Sequence, residues 1–97
     1  MNHTRDEIHR VVVESLKEVL GKTELDVHDK TDPIRDLGLE SADGLDFACI
    51  LSQRLGCNIP DAVNPFVNDD EHRARRLREI VDLICMLGAL NQEVRHG

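Results

Sequence analysis

From Thr4 to Leu20 the apolar positions Ile8, Val12, Leu16, Val19 and Leu20 recur at three- and four-residue intervals, which puts them on one face of a helix. Thr4 and Glu7 have the spacing of a capping box, and Gly21 stands where a left-handed helix end tolerates glycine best. A second helix is predicted from an N-cap at Ser41 to Leu55, ended by Gly56. Leu45, Ala48, Cys49, Ser52 and Leu55 share one side of it, and Phe47, Ile50 and Leu51 widen the apolar arc, so it is expected to be central and well buried. A third helix is predicted from about Glu71 to Leu87, with Leu77, Ile80, Val81, Ile84 and Leu87 as its apolar face. Asn68 and Asp69 are its candidate N-caps, Asp69, Asp70 and Glu71 suit the positive helix end, and Gly88 is the expected stop. Asn91 to Gly97 is then a frayed, flexible tail.

Between these helices the periodicity breaks. Lys22 to Glu40 is a long loop tethered by Leu25, Val27, Ile34, Leu37 and Leu39 and punctuated by Pro33 and Gly38. A second irregular stretch follows Ile59 and Pro60, contains Pro65, and has room for one short helical turn around Asp61 to Val63. With no strand-like alternation, the expected fold is all-α: a small bundle of three long helices plus that short one, in a single domain spanning 1–97.

Composition narrows the function. A chain of 97 residues with 40% hydrophobic and 32% charged residues has one ordinary core and no run long enough to span a bilayer, so no membrane insertion is expected. The first residues carry charge and no apolar signal region, which makes the cytoplasm the expected compartment. A net charge of -7 repels a phosphate backbone and argues against nucleic-acid partners. Cys49, Cys57 and Cys85 cannot all pair, and two of them fall in apolar helical patterns, as reduced cysteines acting as small hydrophobes do. The only aromatic residues are Phe47 and Phe66, so Leu, Ile and Val are expected to build a loosely packed core.

Charge is concentrated around the start of the second helix. Glu24, Asp26, Asp29, Asp32, Asp36, Glu40, Asp43 and Asp46 face only Lys30 and Arg35 within that span. A docking face for a basic partner is the functional reading, against an ordinary solvated loop. The histidines His3, His9, His28, His72 and His96 lack metal-ligand spacing, and the EF-hand pattern is absent, so no metal is expected. Ser41 has acidic neighbours and no base beside it, so the chain is not expected to be an enzyme.

The string Asp36-Leu37-Gly38-Leu39-Glu40-Ser41, followed by a helix and then by Gly56-Cys57-Asn58-Ile59-Pro60, resembles the acyl carrier protein family. The resemblance spans the first helix, the long loop, the attachment motif and the last helix. It implies that Ser41 carries 4'-phosphopantetheine, transferred covalently from coenzyme A, and that acyl intermediates ride on the arm as thioesters. A phosphodiester at a helix start is also electrostatically sensible, and an aliphatic bundle could open to shelter an acyl chain. The implied partners are a phosphopantetheinyl transferase and acyl-synthesising or acyl-transferring enzymes with basic docking patches. Asp36, Glu40, Ala42, Asp43 and Asp46 are the implied docking residues of a monomeric carrier in fatty-acid or specialised lipid biosynthesis.

The chain departs from the family pattern at Glu40, where Asp is usual, at Ala42, where Leu is usual, and at Gly44 within the second helix. The segment after Pro60 is longer than in an ordinary fatty-acid carrier, and Arg73, Arg75, Arg76 and Arg78 crowd the last helix. In these respects the chain resembles specialised bacterial carriers of unusual or very long acyl chains, including those destined for lipid A. A peptidyl or aryl carrier of a secondary-metabolite pathway and an unmodified carrier-like interaction module are the alternatives.

Overall fold

The computed structural model describes residues 3–96, with side chains through residue 88. Its elements in chain order are α1 (Arg5–Leu20), α2 (Asp43–Leu55), β1 (Val67–Asn68), β2 (Arg73–Ala74) and α3 (Leu77–His96). The mostly helical bundle agrees with the expected fold class.

α1 has both ends that its sequence predicts. Thr4 Oγ1 accepts from the Glu7 N–H at 3.1 Å while the Glu7 carboxylate reaches back to the Thr4 N–H, which occupies amides that a helix start otherwise leaves unpaired. At the other end Gly21 adopts φ 68°, and the Lys22 N–H closes onto the Lys17 carbonyl at 2.9 Å. Ile8, Val12 and Leu16 are buried, with Val19 and Leu20 packed at the margin.

α1, not α2, is the central element, because it packs against both α2 and α3. The buried stripe of α2 also differs from the expected one: it runs through Gly44, Phe47, Leu51 and Leu55, leaving Leu45 54% exposed and Cys49 exposed. Residues 45–51 are apolar at every position except Asp46, so periodicity could not choose between neighbouring stripes. Cys49 is therefore not a core hydrophobe, whereas Cys57 and Cys85 are half-buried.

The core is aliphatic except at one point, where the two aromatic rings meet. Phe47 and Phe66 are both 0% exposed, with ring centroids 4.9 Å apart and planes tilted by 33°. The two largest fully buried side chains are thus in mutual contact.

The third helix starts later than predicted. Residues 71–76 offer only Ala74 as an apolar contact, so a helix there would have no face to bury. Instead Val67 pairs with Ala74 and Asn68 with Arg73 in a short antiparallel ribbon, whose turn includes His72 at φ 53°. Asn68 Oδ1 accepts from the Glu71 N–H, so Asn68 caps this turn and not a helix. Residues 60–63 form a hydrogen-bonded turn, closed by Val63 N–H on the Pro60 carbonyl, in place of the short helix.

α3 acquires its N-terminal partners from elsewhere. The Leu77 and Arg78 amides donate to the Thr31 and Asp29 carbonyls at 2.7 and 3.0 Å, and Glu79 Oε1 accepts from the Arg76 N–H. The long loop is thereby bolted to α3 through Thr31, itself buried. Gly88 does not end the helix, which continues to His96 through the expected tail; Gly97 lies outside the described residues. Mid-helix glycine costs only about 1 kcal/mol, and Ala89, Leu90, Gln92 and Glu93 are good helix formers. Among the described residues no helix is long and apolar enough to cross a membrane.

One surface cluster sets a pH expectation. Bonds from the Arg73 guanidinium, and then from the Arg76 N–H, hold the Glu79 carboxyl at about 2 instead of its usual 4.5. A carboxyl depressed on folding stabilises fully above its unfolded pKa and loses that contribution as pH falls towards the folded value. The pair is solvent-facing, so its worth is about 1 kcal/mol at most. Glu79→Gln should lower the melting temperature at pH 7 by about 4 °C. Thermal scans should show this gap closing between pH 4.5 and pH 2, and a gap independent of pH would contradict the assignment.

Candidate functional site

The chain enters α2 through a series of closed turns. Asp32 Oδ1 accepts from the Ile34 and Arg35 amides, while Asp36 Oδ2 accepts from the Asp32 N–H at 2.8 Å. That backbone bond, followed by Arg35, lowers the Asp36 pKa. Leu39 is buried and Leu37 packs against the core, so the segment leading to Ser41 is anchored from below.

Residues 40–43 form a turn fastened from both sides. The Asp43 N–H donates to the Glu40 carbonyl at 3.0 Å, and the Glu40 N–H donates to Asp43 Oδ2 at 2.8 Å. Ser41 and Ala42 occupy the tip, with Ser41 exposed. Ser41 is thus not the N-cap of α2. Ala42 holds that position with helical dihedrals and no side-chain cap bond, because Asp43, Gly44 and Leu45 donate in tight turns to residues 40, 41 and 42. The consequence is chemical: the Ser41 hydroxyl takes no hydrogen bond among the described residues and is left free to react.

This arrangement fits a phosphodiester at Ser41. The amides of Ser41 and Ala42 take no internal partner among the described residues, and the positive end of α2 lies directly after them. The amides of 43–45, by contrast, are already spent within the turns, so they are not the phosphate donors that a free helix start would supply.

The five docking candidates separate. Glu40, Ala42 and Asp46 are exposed, and neither the Glu40 nor the Asp46 carboxylate has a partner among the described residues. Asp36 and Asp43 each have a carboxylate oxygen committed to a backbone amide. Sequence reasoning missed Leu45 and Cys49, which stand one and two turns along α2 from Ser41 on its exposed side. Ser41, Leu45 and Cys49 therefore form an exposed stripe flanked by Glu40 and Asp46.

It also missed the support behind the turn. Asn64 Nδ2 donates to the Ser41 carbonyl at 2.7 Å, and Asn64 Oδ1 accepts from the Phe66 N–H at 2.9 Å. Gly44 is buried directly beneath: a Cβ there would collide with Asn64 Oδ1. Its helix cost, about 1 kcal/mol, is thus offset by room for a polar side chain. The only sequence signal was a glycine where a helix disfavours one.

A cavity of about 530 Å³ opens beside the long loop, Ser41 is not part of its lining, and all of that lining except Leu37 is polar, including Asp26, Lys30, Arg35 and Arg76. It is unsuited to a hydrocarbon chain. Among the described residues no three metal-ligating side chains converge.

Comparison with known proteins adds one match. A family model described as a phosphopantetheine attachment site aligns with residues 10–63, from within α1 through the turn after α2, more than half of the chain. No curated protein and no solved structure matches the chain.

Proposed function

Because this chain belongs to the phosphopantetheine-attachment family, whose members are carriers bearing a covalent 4'-phosphopantetheine, we propose that Ser41 is its attachment residue. The observation that carries the reading is a free, exposed serine hydroxyl at the tip of a doubly fastened turn. In the loading reaction Ser41 Oγ forms a bond to the pantetheine-side phosphorus of coenzyme A. The diphosphate P–O bond breaks, adenosine bisphosphate leaves with the electron pair, and a transferase base takes the hydroxyl proton. This chain supplies the hydroxyl and its orientation, and the transferase supplies metal and base. Intact mass after incubation with coenzyme A and a phosphopantetheinyl transferase tests the reading, and Ser41→Ala identifies the residue.

Family members are modified by such transferases and work with synthase enzymes. The docking face we assign here is the stripe Ser41, Leu45 and Cys49 with Ala42, Glu40 and Asp46 around it, flanked by Asp36 and Asp43. Apolar contacts at its centre supply affinity, and its carboxylates steer a basic partner.

The cargo is proposed to be an acyl chain of a dedicated lipid pathway, served in the cytoplasm by a monomeric carrier that is not itself an enzyme. Support comes from Glu40 and Ala42, which alter the exposed surface next to the arm. Gly44 does not belong to that surface, since it is buried under Asn64. A leucine buried in a complex contributes roughly 1.5 to 3 kcal/mol, so its absence at Ala42 weakens an ordinary synthase complex about tenfold or more. Loaded with malonyl and acyl groups and assayed beside an ordinary fatty-acid carrier, the protein should turn over poorly with the housekeeping synthase, and Ala42→Leu should restore turnover. Equal turnover without the substitution would defeat the proposal.

A further inference from the structure

The Ser41 carbonyl oxygen accepts two bonds, from the Gly44 N–H at 3.0 Å and from Asn64 Nδ2 at 2.7 Å. A carbonyl offers two lone pairs, so both are occupied and the peptide plane between Ser41 and Ala42 is fixed. The donor is itself held at two other points. Asn64 Oδ1 accepts from the Phe66 N–H, and the Asn64 backbone carbonyl accepts from the Arg75 guanidinium at 2.8 Å. The same guanidinium nitrogen also reaches the Val67 carbonyl at 2.8 Å, while the Arg75 N–H donates to the Phe66 carbonyl at 2.8 Å. The ribbon and the attachment turn, 23 residues apart at the Asn64–Ser41 bond, are thus one connected polar unit.

A surface turn closed by its own backbone needs none of this. Here a side chain reaches across from another segment, an arginine braces that segment, and a glycine in the first turn of a helix clears the space. From this convergence we infer that Asn64, braced by Arg75 and admitted by Gly44, is a positioning residue for the loading reaction, holding the Ser41 peptide so that Oγ faces the incoming coenzyme A. The inference rests on Ser41 being the attachment residue. The segment after Pro60 then sets the geometry of the turn rather than meeting a partner directly.

Asn64→Asp is the sharpest test because it is isosteric. The carboxylate still accepts from the Phe66 N–H, but an oxygen replaces the Nδ2 donor and confronts the Ser41 carbonyl. With a promiscuous phosphopantetheinyl transferase, coenzyme A and magnesium, the carrier protein is the varied substrate and intact mass is followed in time. Misorientation of a nucleophile acts on the chemical step, so kcat should fall about tenfold, whereas KM should stay within twofold because the exposed face of α2 is unchanged. A merely structural role would lower the melting temperature without moving kcat measured well below it. A kcat within twofold of wild type, or a loss confined to KM, overturns the inference.

Gly44→Ala supplies an independent arm, since its Cβ must evict the Asn64 amide. It should slow loading as Asn64→Ala does, and adding it to Asn64→Ala should cost nothing further. Additive losses would show that Gly44 serves something else and would overturn the inference, as would failure of both Asn64 variants to fold. If the wild-type chain is not loaded at Ser41, the attachment reading itself fails. If it is loaded and Asn64→Asp is loaded equally fast, only the clamp fails.

Discussion

Ser41→Ala should abolish loading completely, while the wild-type chain gains a single phosphopantetheine. The reason is geometric as well as chemical. Ser52 is half-buried within α2, and Ser15 is fully buried with its hydroxyl donating to the Val11 carbonyl at 2.7 Å. Thr31 is buried and accepts from the His28 N–H, while Thr4 is engaged in the α1 cap. Among the described serines, Ser41 is the one that combines exposure, a turn tip and freedom from internal partners, and Thr23, an exposed hydroxyl likewise without an internal partner, lies outside the attachment motif. Removing it subtracts no hydrogen bond and no buried surface, so the fold should survive with a change within about 0.5 kcal/mol, as at other surface positions. The variant thus separates chemistry from stability. Intact mass and peptide mapping report the loading, and thermal melting reports the fold. Modification of the variant, or of wild type at another residue, would refute the assignment of Ser41.

The parts of this arrangement that could be read in the sequence are those specified by local rules. α1 declares itself through Ile8, Val12 and Leu16, the Thr4–Glu7 box and Gly21, and each acts within a few residues of its own position. The family is legible through the motif around Ser41, which the match over residues 10–63 includes. The α2 stripe was not, because the run from Leu45 to Leu51 is nearly uniform in polarity and the buried stripe includes a glycine that carries no hydrophobic weight. The late start of α3 was obscured by Asp69, Asp70 and Glu71, which resemble a favourable first turn. Burial decided against them, since no apolar face begins before Leu77. Asn64 and Arg75 were invisible for a different reason: their bonds run to the Ser41, Asn64 and Val67 backbone, and backbone acceptors have no sequence signature.

Phe66→Ala is expected to be the most damaging single substitution for the fold. Its ring is 0% exposed and meets Phe47, the other aromatic side chain, at 4.9 Å. Deleting it removes buried surface and leaves a cavity, at a cost of about 3 to 5 kcal/mol. A domain of this size has a total stability of about 5 to 15 kcal/mol, so the loss takes a large share of it and the melting temperature should fall by more than about 10 °C. The backbone of Phe66 adds to the effect. It links Asn64 Oδ1 on one side to the Arg75 N–H on the other, so loosening residue 66 also releases the braces behind Ser41. Phe66→Leu fills most of the volume and should cost less than about 1.5 kcal/mol. Urea titration measures both, and pairing each with Phe47→Leu gives the ring–ring coupling, expected to be about 0.5 to 1.5 kcal/mol. If Phe66→Ala shifted stability by under 1 kcal/mol, the aromatic pair would not be the keystone joining the core to the attachment turn. A large loss for alanine with a small one for leucine would place the stability in volume and packing, and the same buried ring would then support both the helical core and the geometry of the serine above it.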